Sequence, residues 1–380
     1  MPKTINNKNL YIGTLSGTSA DSIDAVVVEI SKNLNIICSS SIKIPAEMKT
    51  QILNLANKKT NLKKFPSRDL IELGEDFAIL TSKLINRILI RNKDLNFKIR
   101  AIGSHGQTIQ HFPTIKNPYT LQIGNPSLIA KTTGIKTIAD FRTANINHGG
   151  IGAPLTPAFH NQFFYSKSSN RVVINIGGIT NITRLIPNSP VIGWDSGPGN
   201  CLIDQSIQFF SKNKKQFDKG GETAKKGEFK KLEKVIRLIL SRKYFKSGLP
   251  KSQSIVNFNF TDIYQRFKNT KKFSEDDWVS AMTEITAKSI ANDLNKFCNV
   301  ENLEIYLCGG GSKNKYLISR IKDHINSNWK VMNTDKLGLD PMLVEACTFA
   351  WLAKMRLANE KINLKHSTGA NPSRLGDIFK

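Results

Sequence analysis

The 380-residue chain carries 55 Lys and Arg against 30 Asp and Glu, a formal charge of +25, and is 39% hydrophobic. That length exceeds one ordinary core and suits two domains, and no apolar run approaches the ~20 residues of a membrane helix. Five scattered cysteines without a CxxC pair argue against both a disulfide framework and a zinc site.

The opening MPKTINNKNL has no apolar core and no small-residue cleavage site, so an untargeted, cytoplasmic protein with no membrane contact is expected. Leu10–Thr14 predicts a strand, Asp24–Ile30 a second and Asn35–Ile44 a third. A helix is predicted over 67–91, where Leu70, Phe77, Leu80, Leu84 and Ile88 share one face. Further strands are predicted at Ile99–Ser104, Tyr119–Ile123 and Ile135–Ala139. Gly149–His160, punctuated by Pro154 and Pro157, reads as a connector. The pattern then recurs: strand Arg171–Ile176, the turn GGITN, strand Ile182–Ile186. Helices are predicted at Pro198–Phe210, Glu228–Phe245, Ser274–Phe297 and Ser312–Asn326, with a strand at Glu304–Leu307. Ser274 with Asp277 makes a capping box. Asp340 and Pro341 predict the start of a last helix running to about Leu357. Each half begins strand, glycine turn, strand, which predicts two related α/β domains with a cleft between them. The expected division is 1–145 and 146–357, with 358–380 packing back on the first.

GTLSGTSADSID (Gly13–Asp24) joins the first two strands and holds no Lys or Arg. A tight turn there exposes successive backbone N–H groups, and glycine admits a close ligand. Such a nest suits phosphate, with Asp21 and Asp24 tolerated if Mg²⁺ mediates. A plain β-hairpin rich in turn formers is the alternative. No GxxxxGK[ST] is present, so this is not a P-loop. Gly177–Gly178 and Gly309–Gly311 are further glycine sites at strand ends. Together the three loops point to a nucleotide.

In GWDSGPGN, Asp195 precedes a rigid turn of the kind that fixes a general base. Its alternative is a cap on the helix at Pro198, and the density of glycine favours the base. His105 and Gln107 in SHGQT bind sugar hydroxyls or fix the loop. Arg142 offers a fork for a carboxylate or makes a surface ion pair. Glu345 lies in the first turn of the last helix, where the dipole favours an acid in any case. His148, His160, His324 and His366 show no ligand spacing. The net charge is read as Lys filling exposed positions rather than as a specific nucleic-acid surface, since no recognition module is visible. An anionic substrate fits it equally.

These motifs, in this order, resemble the anhydro-N-acetylmuramic acid kinase family of the actin, Hsp70 and hexokinase-like ATPase superfamily. The resemblance rests on GTLSGTSADSID, AIGSHGQTIQH, YTLQIGNPSLIA, ADFRTANI, GAPLTPAFH, VVINIGGITNIT, GWDSGPGNCLID, CGGGSKN, EACTFAWLA and STGANPSRLGDIF, and spans about residues 11–378. It implies a ribonuclease H-like plan in each domain and ATP-dependent phosphorylation of 1,6-anhydro-N-acetylmuramic acid with hydrolytic ring opening, in cell-wall recycling. It further implies a homodimer. By carry-over, Gly17, Thr18, Ser19, Ala20, Asp21, Ser22, Ile23 and Asp24 bind ATP phosphate and Asp195 is the catalytic base. Gly177, Gly178, Gly309, Gly310 and Gly311 complete the expected nucleotide set. His105, Gln107, Arg142 and Glu345 form the expected substrate set, and Asp21 is the expected Mg²⁺ ligand. The family pattern commonly reads GTSLDGxD, DTGPGN and PPKSTGREYFN. Here Ala20, Ser22, Ser196, Gln253 and Ser254 depart from it, and the altered segment Leu249–Asn259 bears on substrate identity if it touches the sugar.

Overall fold

The computed structural model describes residues 9–57, 67–95, 98–113, 116–269 and 273–380. The first eight residues, on which the targeting expectation partly rests, lie outside them. The strands are β1 (Leu10–Ser16), β2 (Ser22–Ile30), β3 (Leu34–Lys43), β4 (Ile99–Ser104), β5 (Gln107–Phe112), β6 (Tyr119–Ile123), β7 (Thr137–Ala139), β8 (Arg171–Ile176), β9 (Ile179–Leu185), β10 (Ile192–Pro198), β11 (Glu304–Cys308), β12 (Lys330–Asn333) and β13 (Asp377–Phe379). The helices are α1 (Ala46–Asn57), α2 (Ser67–Arg91), α3 (Pro126–Thr133), α4 (Phe141–Asn147), α5 (Thr156–Phe164), α6 (Cys201–Phe210), α7 (Glu222–Lys226), α8 (Glu233–Leu240), α9 (Lys243–Lys246), α10 (Phe260–Phe267), α11 (Glu275–Phe297), α12 (Lys315–His324), α13 (Val344–Leu357) and α14 (Lys365–Thr368).

The chain divides into two compact units, one of residues 1–163 with 343–380, the other of 164–342. The first holds a sheet ordered β13-β7-β4-β1-β2-β3, the second a sheet ordered β10-β9-β8-β11-β12. In the first, β1, β2 and β3 are antiparallel neighbours, while β1, β4 and β7 run parallel. In the second, β8, β9 and β10 are antiparallel, and β8, β11 and β12 parallel. The two sheets therefore repeat one plan, the ribonuclease H-like order, and β8, β9 and β10 stand where β1, β2 and β3 do.

Val26–Val28 is buried on both sides, which is why β2 reads as an apolar run instead of an alternation. One cover is α2, whose Leu73, Phe77, Leu84 and Ile88 are buried. The other is α13, which lies directly on β1 and β4. A Cβ at Gly13 would meet the Ala346 carbonyl oxygen at 1.8 Å, and one at Gly103 the Phe349 carbonyl oxygen at 2.0 Å. Glycine at both positions lets helix and strands touch. This contact places α13 in the first unit, so the expected divisions at 145/146 and 357/358 give way to 163/164 and 342/343.

The second unit packs around α11, whose capping box forms as the sequence predicts. Ser274 Oγ accepts from the Asp277 N–H, and the Ser274 N–H donates to Asp277 Oδ2, each at 3.1 Å. Other boundaries shift. The expected helix at 198–210 starts at Cys201 because β10 continues through Pro198. The expected 312–326 helix starts at Lys315 with Asn314 as its cap. The predicted helix over 228–245 breaks into a 3₁₀ turn and two short helices. Asp340 caps a turn before α13 by accepting the Met342 N–H at 2.8 Å. Four of the five cysteines are buried thiols and Cys38 is half-buried. Among the described residues no helix is long and apolar enough to cross a membrane.

Candidate functional site

Asp195 lies inside β10, opposite Asn181 of β9, and the pairing register shifts between Asp195 and Gly197. Such a bulge bends the strand and re-aims a side chain. Asp195 is 2% exposed. It accepts hydrogen bonds from Asn181 Nδ2, from Ser252 Oγ at 2.7 Å and from the Gln253 backbone N–H at 2.7 Å. The Asp195 N–H donates to the Lys251 carbonyl at 3.0 Å, and the Tyr244 hydroxyl donates to the Asp195 carbonyl. The carboxylate is thus fixed in a single orientation. The capping alternative fails, since α6 begins at Cys201 with Asn200 in the cap position.

Two partners come from the altered segment Leu249–Asn259, which the sequence left without a place. The segment tolerates its changes here. Gln253 reaches Asp195 through its backbone N–H, which any residue but proline supplies. Ser254, where the family commonly has glycine, adopts φ −95° and ψ 141°, an ordinary extended conformation. Ser22 needs no glycine either, because it lies in extended β2.

The glycine turns of the second unit converge. Gly199 and Asn200 donate their N–H groups to the Gly178 and Gly177 carbonyls at 2.9 and 2.8 Å. Asn200 Nδ2 donates to the Ile176 carbonyl at 3.2 Å. A Cβ on Gly309, whose φ is +77°, would meet Asn175 Oδ1 at 2.3 Å, and one on Gly311 would meet Ile176 Cγ2 at 2.2 Å. These two glycines serve close packing. Gly177 and Gly310 are different: the nearest atoms to a Cβ there lie at 3.5 and 3.7 Å. Their backbone remains approachable, as a bound nucleotide requires.

In the first unit the β1–β2 turn is closed by the Ala20 N–H donating to the Gly17 carbonyl at 3.0 Å. Gly17, Thr18, Ser19 and Asp21 are exposed, and a Cβ on Gly17 would meet nothing within 4 Å. Ala20 and Ile23 are buried and belong to the core. Ser22 and Asp24 sit in β2, with Ser22 Oγ donating to Asp24 Oδ1 at 3.4 Å. The exposed backbone of Gly17–Ser19 is therefore what this loop can offer a phosphate. Its missing base comes from elsewhere: Lys49 of α1 pairs with the Asp21 carboxylate.

His105 and Arg142 are also brought together. Arg142 Nε donates to His105 Nε2 at 2.9 Å and its Nη1 to the Gly152 carbonyl at 3.1 Å. His105 Nδ1 donates to the Gly106 carbonyl at 3.0 Å, which fixes the tautomer. Burial, then the Arg142 charge, push His105 down to about 3, so the ring is neutral. Both of these Arg142 partners are uncharged. The Gln107 side chain donates to the Thr108 carbonyl at 3.2 Å, and its Oε1 is buried without a partner, as is His111 Nε2. Glu345 lies half-buried one helical turn before Phe349, whose ring sits 4.6 Å from that of His105. A pocket of about 110 Å³ opens beside them, lined by Ser104, His105, Gly106, Gln122, Asn125 and Asp140 among others. Asp140 there holds a left-handed φ of +59°, a conformation found where a site constrains the backbone. The sequence missed the residues that hold Asp195: Asn181, Tyr244, Lys251, Ser252 and Gln253. Asn181 closes the GGITN turn and Lys251 and Ser252 lie in the PKS run before Gln253, but nothing local marked any of them as a partner of Asp195.

Residues 9–380 match the model of the family described as anhydro-N-acetylmuramic acid kinase. The anhydro-N-acetylmuramic acid kinase of Actinobacillus pleuropneumoniae serotype 7 (strain AP76) is 38% identical over 375 residues, covering 98% of this chain and 99% of that one. The one from Coxiella burnetii (strain Dugway 5J108-111) is 39% identical over 377 residues, covering 98% of each. Among solved structures, a ROK family glucokinase from Streptomyces griseus in complex with glucose and AMPPNP is 13% identical with a TM-score of 0.41, covering 91% of this chain and 100% of that chain.

Proposed function

The chain belongs to the anhydro-N-acetylmuramic acid kinase family, and from that premise we propose how its residues carry the reaction. The protein is an ATP-dependent phosphotransferase that opens 1,6-anhydro-N-acetylmuramic acid and phosphorylates O6, giving N-acetylmuramic acid 6-phosphate and ADP in cell-wall recycling. Water attacks the anomeric carbon and gives its proton to Asp195. The bond from that carbon to O6 breaks, O6 takes the γ-phosphoryl group, and ADP leaves. The observation that carries this reading is the Asp195 carboxylate, buried on the β10 bulge and held by Asn181, Ser252 and Gln253. A base so fixed can work only on a water placed for it.

The remaining roles follow the site's chemistry. The open backbone of Gly17–Ser19 and of Gly177 and Gly310 suits the nucleotide. Thr18 and Ser19 add hydroxyl donors. Mg²⁺, when bound, neutralises phosphate charge during transfer. Asp21 is exposed, and one carboxylate beside phosphate oxygens suits that ion; its pairing with Lys49 means the ammonium must yield or share the phosphates. Arg142, bonded to neutral His105 and to the Gly152 carbonyl, suits the lactyl carboxylate of the sugar. Gln107 Oε1 suits a sugar hydroxyl or amide donor. A cytoplasmic homodimer is part of the same reading.

The test is Asp195→Asn beside the wild type, with Mg-ATP and the anhydro sugar. The variant is expected to bind nucleotide as the wild type does and to lose about 100- to 10,000-fold in kcat. Turnover close to wild type would remove Asp195 from the role of base.

A further inference from the structure

Behind Asp195 lies an ion pair that the reaction itself does not use. Lys251 Nζ meets Asp293 Oδ1 at 2.9 Å, and both side chains are 4% exposed. Asp293 Oδ2 accepts from Trp194 Nε1 at 2.8 Å. The ammonium also stands 5.1 Å from the centre of the Tyr244 ring. An ion pair buried this deeply gives little net stability, since desolvation offsets attraction. Its position suggests another use. Lys251 immediately precedes Ser252 and Gln253, whose donors hold the Asp195 carboxylate. Its own carbonyl accepts the Asp195 N–H at 3.0 Å. Asp293 is joined to Trp194, the residue just before Asp195. One carboxylate on α11 thus ties both the base's strand and the loop that holds the base.

We propose that the Lys251–Asp293 pair is a positioning device for the catalytic base, setting the reach of Ser252 and Gln253 to the Asp195 carboxylate. The inference rests on the reading of Asp195 as base. Among the described residues, the titratable groups around that carboxylate's backbone and loop include Tyr244 of α9, Lys251 of the loop and Asp293 of α11, with Cys298 facing Asp293 and Arg184 of β9 beside it. Tyr244 is held far above its ordinary range, by burial first and then by Asp195 and Asp293, so it remains a neutral donor. Of these, Lys251 is the cation whose removal releases the loop. Donors on a carboxylate favour its ionised form, and a base must be ionised to act. Releasing two donors therefore moves the acid limb of the rate profile to higher pH.

The experiment is a pH profile of kcat for Lys251→Met, Lys251→Arg and Asp195→Asn beside the wild type. The KM for ATP is measured on the same samples, and active-site concentration is normalised to folded protein. Lys251→Met is expected to lose about 100-fold in kcat, as a small misplacement of reacting groups does. Its acid limb moves up by about one pH unit, with KM for ATP unchanged. Lys251→Arg keeps the charge but not the single-point contact, and shows a smaller shift in the same direction. If the Met variant does not fold, the Arg variant decides. A wild-type acid limb in whichever variant folds overturns the proposal, because mere loss of stability lowers the active fraction without moving that limb. If Asp195→Asn is inactive while the limb stays put, the positioning role alone fails. If Asp195→Asn turns over normally, the reading of the base fails with it.

Discussion

At the scale of single residues, the glycines divide by what a methyl group would strike. Gly309 combines a φ of +77° with a 2.3 Å clash against Asn175 Oδ1, so the fold requires it. Gly17 has neither constraint: no atom lies within 4 Å of its missing Cβ. On the proposed reading, the open position at Gly17 serves the phosphate of the incoming nucleotide. Gly17→Ala is therefore expected to leave stability within about 0.5 kcal/mol and to raise the KM for ATP. Gly309→Ala is expected to cost about 1–3 kcal/mol through overpacking and backbone strain. Denaturant midpoints and ATP titrations of the two variants check this. A destabilised Gly17→Ala with unchanged KM would contradict the division. The same reasoning explains why Ser22 and Ser254 can replace the family's glycines, since neither position calls for a left-handed backbone.

At the scale of elements, the site is made by irregularities in regular pieces. The bulge in β10 aims Asp195, and the close seat of α13 on β1 and β4 sets Phe349 against His105. Around that seat the β4–β5 turn, β5 and α5 bring in histidines that burial keeps neutral. His105, His111 and His160 are each pushed from an ordinary 6.5 down to about 3, by burial first. The unfolded chain takes up these protons near pH 6.5 and the folded one does not. Their contribution to stability is thus complete above pH 6.5 and lost progressively as the pH falls toward 3. The second unit differs. Burial alone would raise Glu284 of α11, but hydrogen bonds from Arg320 and His324 outweigh it and hold the carboxyl below its ordinary 4.5. Stability from that group is lost only as the pH falls below about 4.5. On acidification from pH 7 to 5, the first unit is expected to open before the second, read by hydrogen exchange on peptides from each. Uniform loss, or earlier opening of the second unit, would contradict the account.

At the scale of the whole molecule, what was legible in the sequence is what local chemistry writes down. The strand–glycine turn–strand pattern announced the repeated sheet plan, and the Ser274 capping box announced the start of α11. Asp195, His105 and Arg142 stood out as candidates because each lies in a short run with an unusual composition. The partners of Asp195 were not, because hydrogen bonds across a fold leave no local trace. Asn181 is 14 residues away from it, Ser252 is 57, and Asp293 is 99 from Trp194. The boundary of α6 was misplaced for a related reason: β10 runs on through proline, which propensity assigns to the helix start. Lys49, which answers the acid in the first loop, arrives from a helix 28 residues later. The central claim joins these pieces into one reaction, in which water and phosphate enter the sugar together. Its most direct measurement is the mass of the sugar product formed from Mg-ATP and 1,6-anhydro-N-acetylmuramic acid in ¹⁸O-labelled water. The account predicts a gain of one phosphate and one water, the heavy oxygen residing on the anomeric carbon and none on the phosphate. A product that gains phosphate without water, or ADP formed with the anhydro sugar intact, would contradict it.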